Sequence, residues 1–434
     1  MPHSDPEAFT PDHKPMPYWW DRTPRPATEH ASFPARVDAL VVGSGYTGLN
    51  AALQLARGGR ATLVVDAEAV GWGCSTRNGG QVSTSVKPSL AALASSYGEE
   101  RARRIRGEGR ESLAWLGQFT REEGIDCDFR VSGRFHAAHS ARQYQALVHQ
   151  LEDRPGGEPV EAHLVPRSEQ AREIGSEAYH GGVVFHRFAA LDPARYHAGL
   201  LERVRAAGAL VVSHCPVTGI ARQGGSFCVT TTRGSIEARD VVVATNGYTG
   251  AACGWLRRRV IPIRSSIIAT EPIPFDQMAR LLPSDRMLTD TREVVYYYRA
   301  SPDRTRILFG GRVASCDPDG TASALLLRSE LGRLFPELRA VRISHSWMGF
   351  IAYTFDTLMH IGLRDGVHYA AGYCGSGVGM ASYLGMKLGL KVLGRSEGVT
   401  AFDGLDFPSR PYYFGNPWFL GAATGYYRWR DRWR

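Results

Sequence analysis

Four short runs of the chain are apolar throughout or nearly so: Ala39–Val42, Thr62–Val65, Leu210–Val212 and Val241–Ala244. Each meets a Gly, Asp, Ser or Asn within two residues of its end. Runs of this length without alternation read as strands covered on both faces, as in a parallel sheet. His368–Gly372 reads as a fifth strand. A helical pattern from Leu49 to Arg57 lies between the first two runs. Ser89 to Glu123 reads as one long helix, with apolar positions at Leu90, Leu93, Tyr97, Ile105, Leu113, Leu116 and Phe119. Further helices are predicted over 141–151, 196–207 and 380–393. After Val260 the texture changes. Ile261–Ala269, Val294–Arg299, Arg306–Gly310 and Ile343–Trp347 are β-rich and separated by turns, which suits an antiparallel sheet. Phe129–His136 reads as another strand, and Phe227–Thr232 with Gly234–Arg239 as a hairpin. Residues 1–35 hold eight prolines and show no period. They are expected to form an extended arm whose second half docks through Tyr18-Trp19-Trp20.

The junction after the first run carries the chemistry. Gly43-Ser44-Gly45-Tyr46-Thr47-Gly48 is a G-x-G-x-x-G, with a strand before it and a helix after it. Asp66 ends the next strand, eighteen residues beyond Gly48. That order is what a dinucleotide-binding βαβ unit requires. Gly43 permits the turn, Gly45 lets backbone approach a pyrophosphate, and Gly48 lets the helix pack on the sheet. The helix N-terminus, from Tyr46 and Thr47, points N–H groups at the phosphates. Asp66 is placed to accept from a ribose.

Further segments extend this site. Cys74-Ser75-Thr76-Arg77-Asn78-Gly79-Gly80-Gln81 is a polar loop. Its hydroxyls and guanidinium suit phosphates, and its glycines suit the edge of a flat ring. Thr245 and Asn246 end a buried strand, and Val217 opens another segment near the cofactor. Gly375-Ser376-Gly377-Val378-Gly379 starts the last long helix, putting a positive helix end beside an anion. The nucleotide-type segments thus stand at the start, middle and end of the chain. The layout predicts an α/β fold, α+β overall. A Rossmann-like dinucleotide domain (36–90, 181–250 and 343–395) is interrupted by an antiparallel-sheet substrate domain and helical insertion (91–180 and 251–342). Residues 1–35 are the arm and 396–434 a tail.

Composition narrows the class. No apolar run among the 434 residues reaches the roughly 18–20 needed to span a membrane. The N-terminus does not read as a signal peptide. Seven Cys without a C-x-x-C pair fit reduced thiols in a cytoplasm, with no disulfide framework and no metal site. The net charge of +8 comes almost wholly from Arg, since Lys14, Lys87, Lys387 and Lys391 are the four Lys. The basic residues are dispersed, so no nucleic-acid partner is expected. The end, Tyr426 to Arg434, either touches anionic lipid peripherally or packs its aromatics on its own domain.

Several of these segments carry a family likeness over nearly the whole chain. They are Gly43 to Leu49, Arg77-Asn78-Gly79-Gly80-Gln81, Ile125 to Phe129, Tyr297-Tyr298-Arg299, Phe309-Gly310-Gly311, Trp347-Met348-Gly349 and Gly372 to Val378. The chain resembles the FAD-dependent amine and amino-acid oxidoreductases of the D-amino-acid-oxidase family. The resemblance implies FAD as cofactor and an antiparallel substrate domain over the flavin. It implies hydride transfer from the carbon of a C–N bond to flavin N5, and hydrolysis of the imine to a carbonyl. The expected partners are a small amine or amino acid and molecular oxygen, with hydrogen peroxide as product. A dehydrogenase passing electrons to a quinone or carrier protein, and a non-catalytic FAD-binding subunit, are the alternatives. Some relatives attach FAD through a Cys after the Trp-x-Gly strand. Phe350 to Ile361 contains none, so FAD is expected to be non-covalent. Some relatives hold a Lys near N5, on the strand matching Arg306–Phe309, where this chain has none. Lys87 is expected at a surface or helix-start position, leaving oxygen activation to His360, an Arg or the helix dipole. Tyr298, Trp347, Tyr353, His360 and Tyr373 are the candidate lining residues, with core packing as the plainer role. Arg264 and Arg312 are candidates to hold a substrate carboxylate or phosphonate.

Overall fold

A computed structural model of the chain describes residues 5–26, 34–152, 161–312, 317 and 320–433. Arg36–Val42, Thr62–Val65, Leu210–Val212, the end of Gly234–Val243 and Val367–Ala371 form a parallel sheet. The register is continuous, with Val42 opposite Val65 and Val243 opposite Val42. The antiparallel strand His360–Arg364 closes one side. A meander of Val217–Gln223 and Ser226–Thr231 continues from the first half of Gly234–Val243.

Apolar residues cover both faces of this sheet, as expected of continuous hydrophobic strands. On one face lie helices Tyr46–Arg57, Pro193–Ala206, Glu99–Glu122 and Gly377–Val392, packed through Leu49, Leu53, Leu116, Leu200 and Leu384. The last helix crosses the first at very short range. A Cβ on Gly385 would lie 2.5 Å from the Thr47 carbonyl oxygen, and one on Gly389 2.6 Å from that of Ala51. Small residues there bring the Gly375–Gly377 turn beside the Gly43–Gly48 turn.

The second sheet has nine strands, in the order Phe9–Lys14, Ile343–Tyr353, Ile261–Thr270, Ile307–Gly311, Tyr297–Ala300, Met287–Asp290, Arg134–Ala137, Gly182–Phe185 and Ala162–Val165. Its outer face buries Phe135, Leu288, Tyr298, Phe309 and Ile268 against helix Thr321–Leu334 and its flanking turns. Its inner face turns toward the parallel sheet.

Five assignments differ from the sequence reading. Part of the arm, Phe9–Lys14, is an edge strand paired with Ile343–Tyr353. Ile343–Tyr353 and Gly182–Phe185 belong to this nine-stranded sheet, not to the dinucleotide domain. The sheet is mixed: Phe9–Lys14 runs parallel to Ile343–Tyr353 and Met287–Asp290 parallel to Arg134–Ala137. The predicted helix over Ser89–Glu123 is two helices, Leu90–Tyr97 and Glu99–Glu122, broken at Gly98 with φ +80°. Both pack into the core of the dinucleotide domain rather than the substrate domain. Among the described residues no helix is long and apolar enough to cross a membrane.

Candidate active site

A cleft of about 1340 Å3 runs from the turn after Val42 to the inner face of the nine-stranded sheet. Drug-sized pockets hold about 300–1,000 Å3, so this one has room for a dinucleotide and a second small molecule. At its floor Gly43 has φ +104°. A Cβ on Gly48 would sit 1.9 Å from the Gly43 carbonyl oxygen, so only glycine lets the helix begin there. The first N–H groups of a helix lack intrahelical acceptors. That of Tyr46 donates to Ser75 Oγ at 3.0 Å. No described residue accepts from those of Gly45 and Thr47, which line the cleft and suit an anion.

Asp66 also lines the cleft, but it is engaged. Its Oδ2 accepts from Ser44 N at 2.7 Å and Ser44 Oγ at 2.6 Å, and its Oδ1 from Glu68 N at 3.0 Å. The carboxylate braces the glycine turn, and its remaining lone pairs are left for a ribose. Val217, Thr245 and Asn246 line the same end. Asn246 Oδ1 accepts from Gly372 N at 2.9 Å, tying the strand end to the last turn. Gly375, Gly377 and Val378 line the cleft at the start of the sixteen-residue helix. Gly379 does not: it packs toward Ser112 and Val82.

The Cys74–Gln81 loop divides. Ser75, Arg77, Asn78, Gly79 and Gln81 reach the cleft. Thr76 is buried elsewhere, donating to Gly71 O at 2.5 Å and accepting from Trp20 Nε1 at 2.9 Å. Gly80 accepts from Leu191 N through its carbonyl at 2.9 Å and donates its N–H to Asn78 Oδ1 at 2.8 Å. The Arg77 guanidinium is engaged by the chain itself. It lies 4.7 Å and 4.5 Å from the Trp20 and Trp72 rings and donates to Trp72 O at 2.6 Å. The sequence reading of Thr76, Gly80 and Arg77 as phosphate or ring contacts is corrected accordingly.

At the sheet end, strand alternation decides which side chains arrive. Tyr353, Tyr373 and Arg312 line the cleft. Arg312 donates to Tyr353 Oη at 2.6 Å, and Tyr373 Oη bonds Thr47 Oγ1 at 2.5 Å. Tyr298 is on the outer face, donating to Tyr179 Oη at 3.1 Å within the core. Its neighbour Tyr297 faces inward instead, bonded to Ser265 Oγ at 2.8 Å and packed toward Gly79. Burial pushes the Tyr297 phenol up to about 12, so it stays protonated. Trp347 is buried behind the loop, donating to Arg77 O at 2.8 Å. His360 does not line the cleft; it is stacked 3.8 Å from Phe407 and bonded to Asp356 at 3.0 Å. Arg264 also misses it: Ile261, Ile263 and Ser265 line the cleft while Arg264 donates to Asp317 O.

Sequence reasoning missed Tyr248, Arg134 and His136, all at the cleft. Arg134 and His136 carried a signal, because polar residues alternate with Phe135 and Ala137 along one strand. Lys87 is exposed, two residues before the Ser89 cap of helix Leu90–Tyr97, yet it borders the cleft. The tail was expected either to touch anionic lipid or to pack its aromatics on its own domain. Its helix Leu420–Trp433 packs on the body and lines the cleft through Leu420, Ala423 and Tyr427. Asp431 anchors it, accepting from Glu293 N at 2.9 Å and Val294 N at 3.1 Å. Trp418, Tyr426 and Trp429 remain exposed.

The turn, the open N–H groups and the Gly375–Gly377 helix start fit a dinucleotide cofactor such as FAD. Comparison with known proteins agrees. The profile of the DAO family, described as FAD dependent oxidoreductase, matches residues 38–389. Gamma-glutamylputrescine oxidoreductase of Escherichia coli (strain K12) is 31% identical over 404 residues, covering 91% of this chain and 93% of that one. Glycine oxidase from Geobacillus kaustophilus superposes with a TM-score of 0.70 at 19% identity, covering 87% of this chain and 100% of that one. L-amino acid deaminase from Proteus vulgaris, with its specific insertion deleted, gives 0.67 at 18% identity, covering 90% and 96%.

Proposed function

Because the chain belongs to the DAO family of FAD-dependent oxidoreductases, we propose that it is an oxidase of long-chain amines of the γ-glutamylputrescine type. It is an FAD flavoprotein acting on amines or amino acids. FAD, when bound, takes the hydrogen and two electrons from the carbon beside the nitrogen. Gly43, Gly45, Tyr46, Thr47 and Asp66 would hold its phosphates and ribose, with Ser75, Asn78, Gly79, Gln81, Val217, Thr245, Asn246, Gly375, Gly377 and Val378 around it.

The observation that carries the substrate class is the aromatic wall at the sheet end. Tyr248, Tyr297, Phe350 and Tyr353 line the cleft there. Such a wall attracts an alkylammonium through ring faces. It also excludes water, which lowers the amine pKa and favours the neutral form that oxidation needs. The Arg312–Tyr353 bond holds one side of the wall in place. The helix over the cleft helps keep the site dry. Oxygen is the proposed acceptor, giving hydrogen peroxide.

The test is anaerobic mixing of the yellow protein with γ-glutamylputrescine, putrescine, glycine and N-methyl amino acids. We expect flavin bleaching fastest with γ-glutamylputrescine, then oxygen uptake with peroxide release on admitting air. Bleaching by glycine alone would overturn the substrate class. Bleaching without oxygen uptake would make the protein a dehydrogenase.

A further inference from the structure

Three arginines stand close to the cleft, Arg299 buried and Arg77 and Arg134 half-buried, and one differs from the others. Arg77 donates to the Trp72 and Met348 carbonyls. Arg299 donates to the Gly80, Leu191 and Ala300 carbonyls. Arg134 donates to no described residue, and its Nε is buried without a partner. Its guanidinium lies 4.0 Å from the Phe188 ring centroid and 4.9 Å from that of Phe185. No carboxylate lies within ion-pair range of it among the described residues. A half-buried charge with no carboxylate beside it has lost part of its hydration, and ring faces supply only part of what water gave. Burial pulls the guanidinium down to about 10, still charged at neutral pH. The geometry calls for an anion that the chain does not supply.

The neighbours fit an anion too. His136, two residues on, bonds Thr289 Oγ1 through Nδ1 at 2.9 Å. It adds no competing negative charge. Lys87 borders the same cleft with no carboxylate partner among the described residues. Asp290, the nearest acid in the neighbouring strand, is held by Arg292. The placement is also informative. Thr289 is opposite both His136 and Tyr297, so the strand of Arg134 lies two strands from that of Tyr297. At about 4.8 Å per strand that is about 10 Å across the inner face. Arg134 stands two residues, about 6–7 Å, along its strand from His136, so its backbone is about 12 Å from that of Tyr297 and its long side chain spans the difference.

We infer that Arg134 seats the carboxylate at the far end of the substrate, distant from the oxidised carbon. This rests on the substrate reading above, in which the amine lies under the aromatic wall at Tyr297. In an extended γ-glutamylputrescine, roughly nine bonds separate the oxidised carbon from the α-carboxylate, or about 10–11 Å. The planar fork of Arg134 would grip that carboxylate through two donors. A diamine without the glutamyl group leaves it unpaired. Arg134 is thus a specificity-determining residue that never touches the reacting atoms.

The test compares holoenzyme of the wild type with Arg134→Met and Arg134→Lys. The first readout is the ratio of kcat/KM for γ-glutamylputrescine to that for putrescine. It should fall about a hundredfold in Arg134→Met, the scale of a lost charged hydrogen bond, and less in Arg134→Lys. The second needs no turnover: L-glutamate titrated into the oxidised holoenzyme, read by the flavin difference spectrum. Its Kd should rise at least tenfold in Arg134→Met. If both substrates lose the same factor and glutamate binds the variant as it binds the wild type, Arg134 is structural and the inference fails. Wild type that binds no glutamate also overturns it. If wild type oxidises no γ-glutamyl amine, yet glutamate binding is lost in Arg134→Met, the substrate reading fails and the anion seat stands.

Discussion

Asp66→Ala should destabilise the protein even with no cofactor bound. The sequence reading gave this carboxylate to a ribose alone. In the structure it accepts three hydrogen bonds from its own chain, from Ser44 N, Ser44 Oγ and Glu68 N. Ser44 is wholly buried, so alanine leaves the Ser44 N–H without an acceptor. A buried orphan donor costs about 1–3 kcal/mol, and bonds to a charged group contribute about 1.5–3 kcal/mol each. Part of the loss is recovered where water reaches Glu68. The expected loss is about 2–4 kcal/mol in the deflavinated protein, measured by urea unfolding. FAD affinity should fall as well, because the turn that presents Gly43 and Gly45 loosens. Asp66→Asn keeps an acceptor for Ser44 N and should lose about half as much. The reasoning is refuted if deflavinated Asp66→Ala unfolds at the wild-type urea midpoint while FAD binding alone is lost. Asp66 would then be a ligand and not a brace.

Two further outcomes follow from the site. FAD should be released entirely by acid precipitation, leaving a colourless pellet; colour in the pellet would mean a covalent link to a cleft thiol such as Cys74 or Cys374. Burial holds His136 down to about 3 in the folded state, against about 6.5 when unfolded. The unfolded chain therefore binds the extra proton first, and stability declines as pH falls from about 6.5 toward 3. His136→Gln should flatten the stability slope between pH 6 and pH 4 by up to about 1.4 kcal/mol per pH unit. Urea midpoints across that range check it, and an unchanged slope would exclude His136 as a contributor.

The parallel sheet was legible because its strands are covered on both faces and therefore unbroken apolar runs. The cofactor turn was legible because backbone geometry demands glycine there. The sheet end of the cleft was less so. Tyr296, Tyr297 and Tyr298 are consecutive, so alternation cannot say which one faces inward. That phase is set by distant partners: Gly79 leaves room for the Tyr297 ring, while Phe309 and Phe335 enclose Tyr298. His360 was misplaced for a similar reason, since Phe407, which stacks on it, is 47 positions away. Arg77 and Thr76 looked like phosphate contacts until the N-terminal segment brought Trp20 against both.

The nine-stranded sheet explains why core and site are hard to separate by sequence. Residue by residue, its strands send one side chain to the core and the next to the cleft. Phe135, Leu288, Tyr298 and Phe309 hold the outer face against its covering helix. Arg134, His136, Thr289 and Tyr297 stand on the inner face between them. A substitution at an outer position removes buried apolar contacts, costing about 2–5 kcal/mol for a large-to-small change. A substitution at an inner position leaves that core intact and alters what the cleft can bind. The same sheet can therefore carry different substrate preferences without a change of fold. On the substrate reading proposed above, Arg134 is where this chain's preference is written most plainly, because its guanidinium rests on two rings and has no hydrogen-bond or carboxylate partner among the described residues.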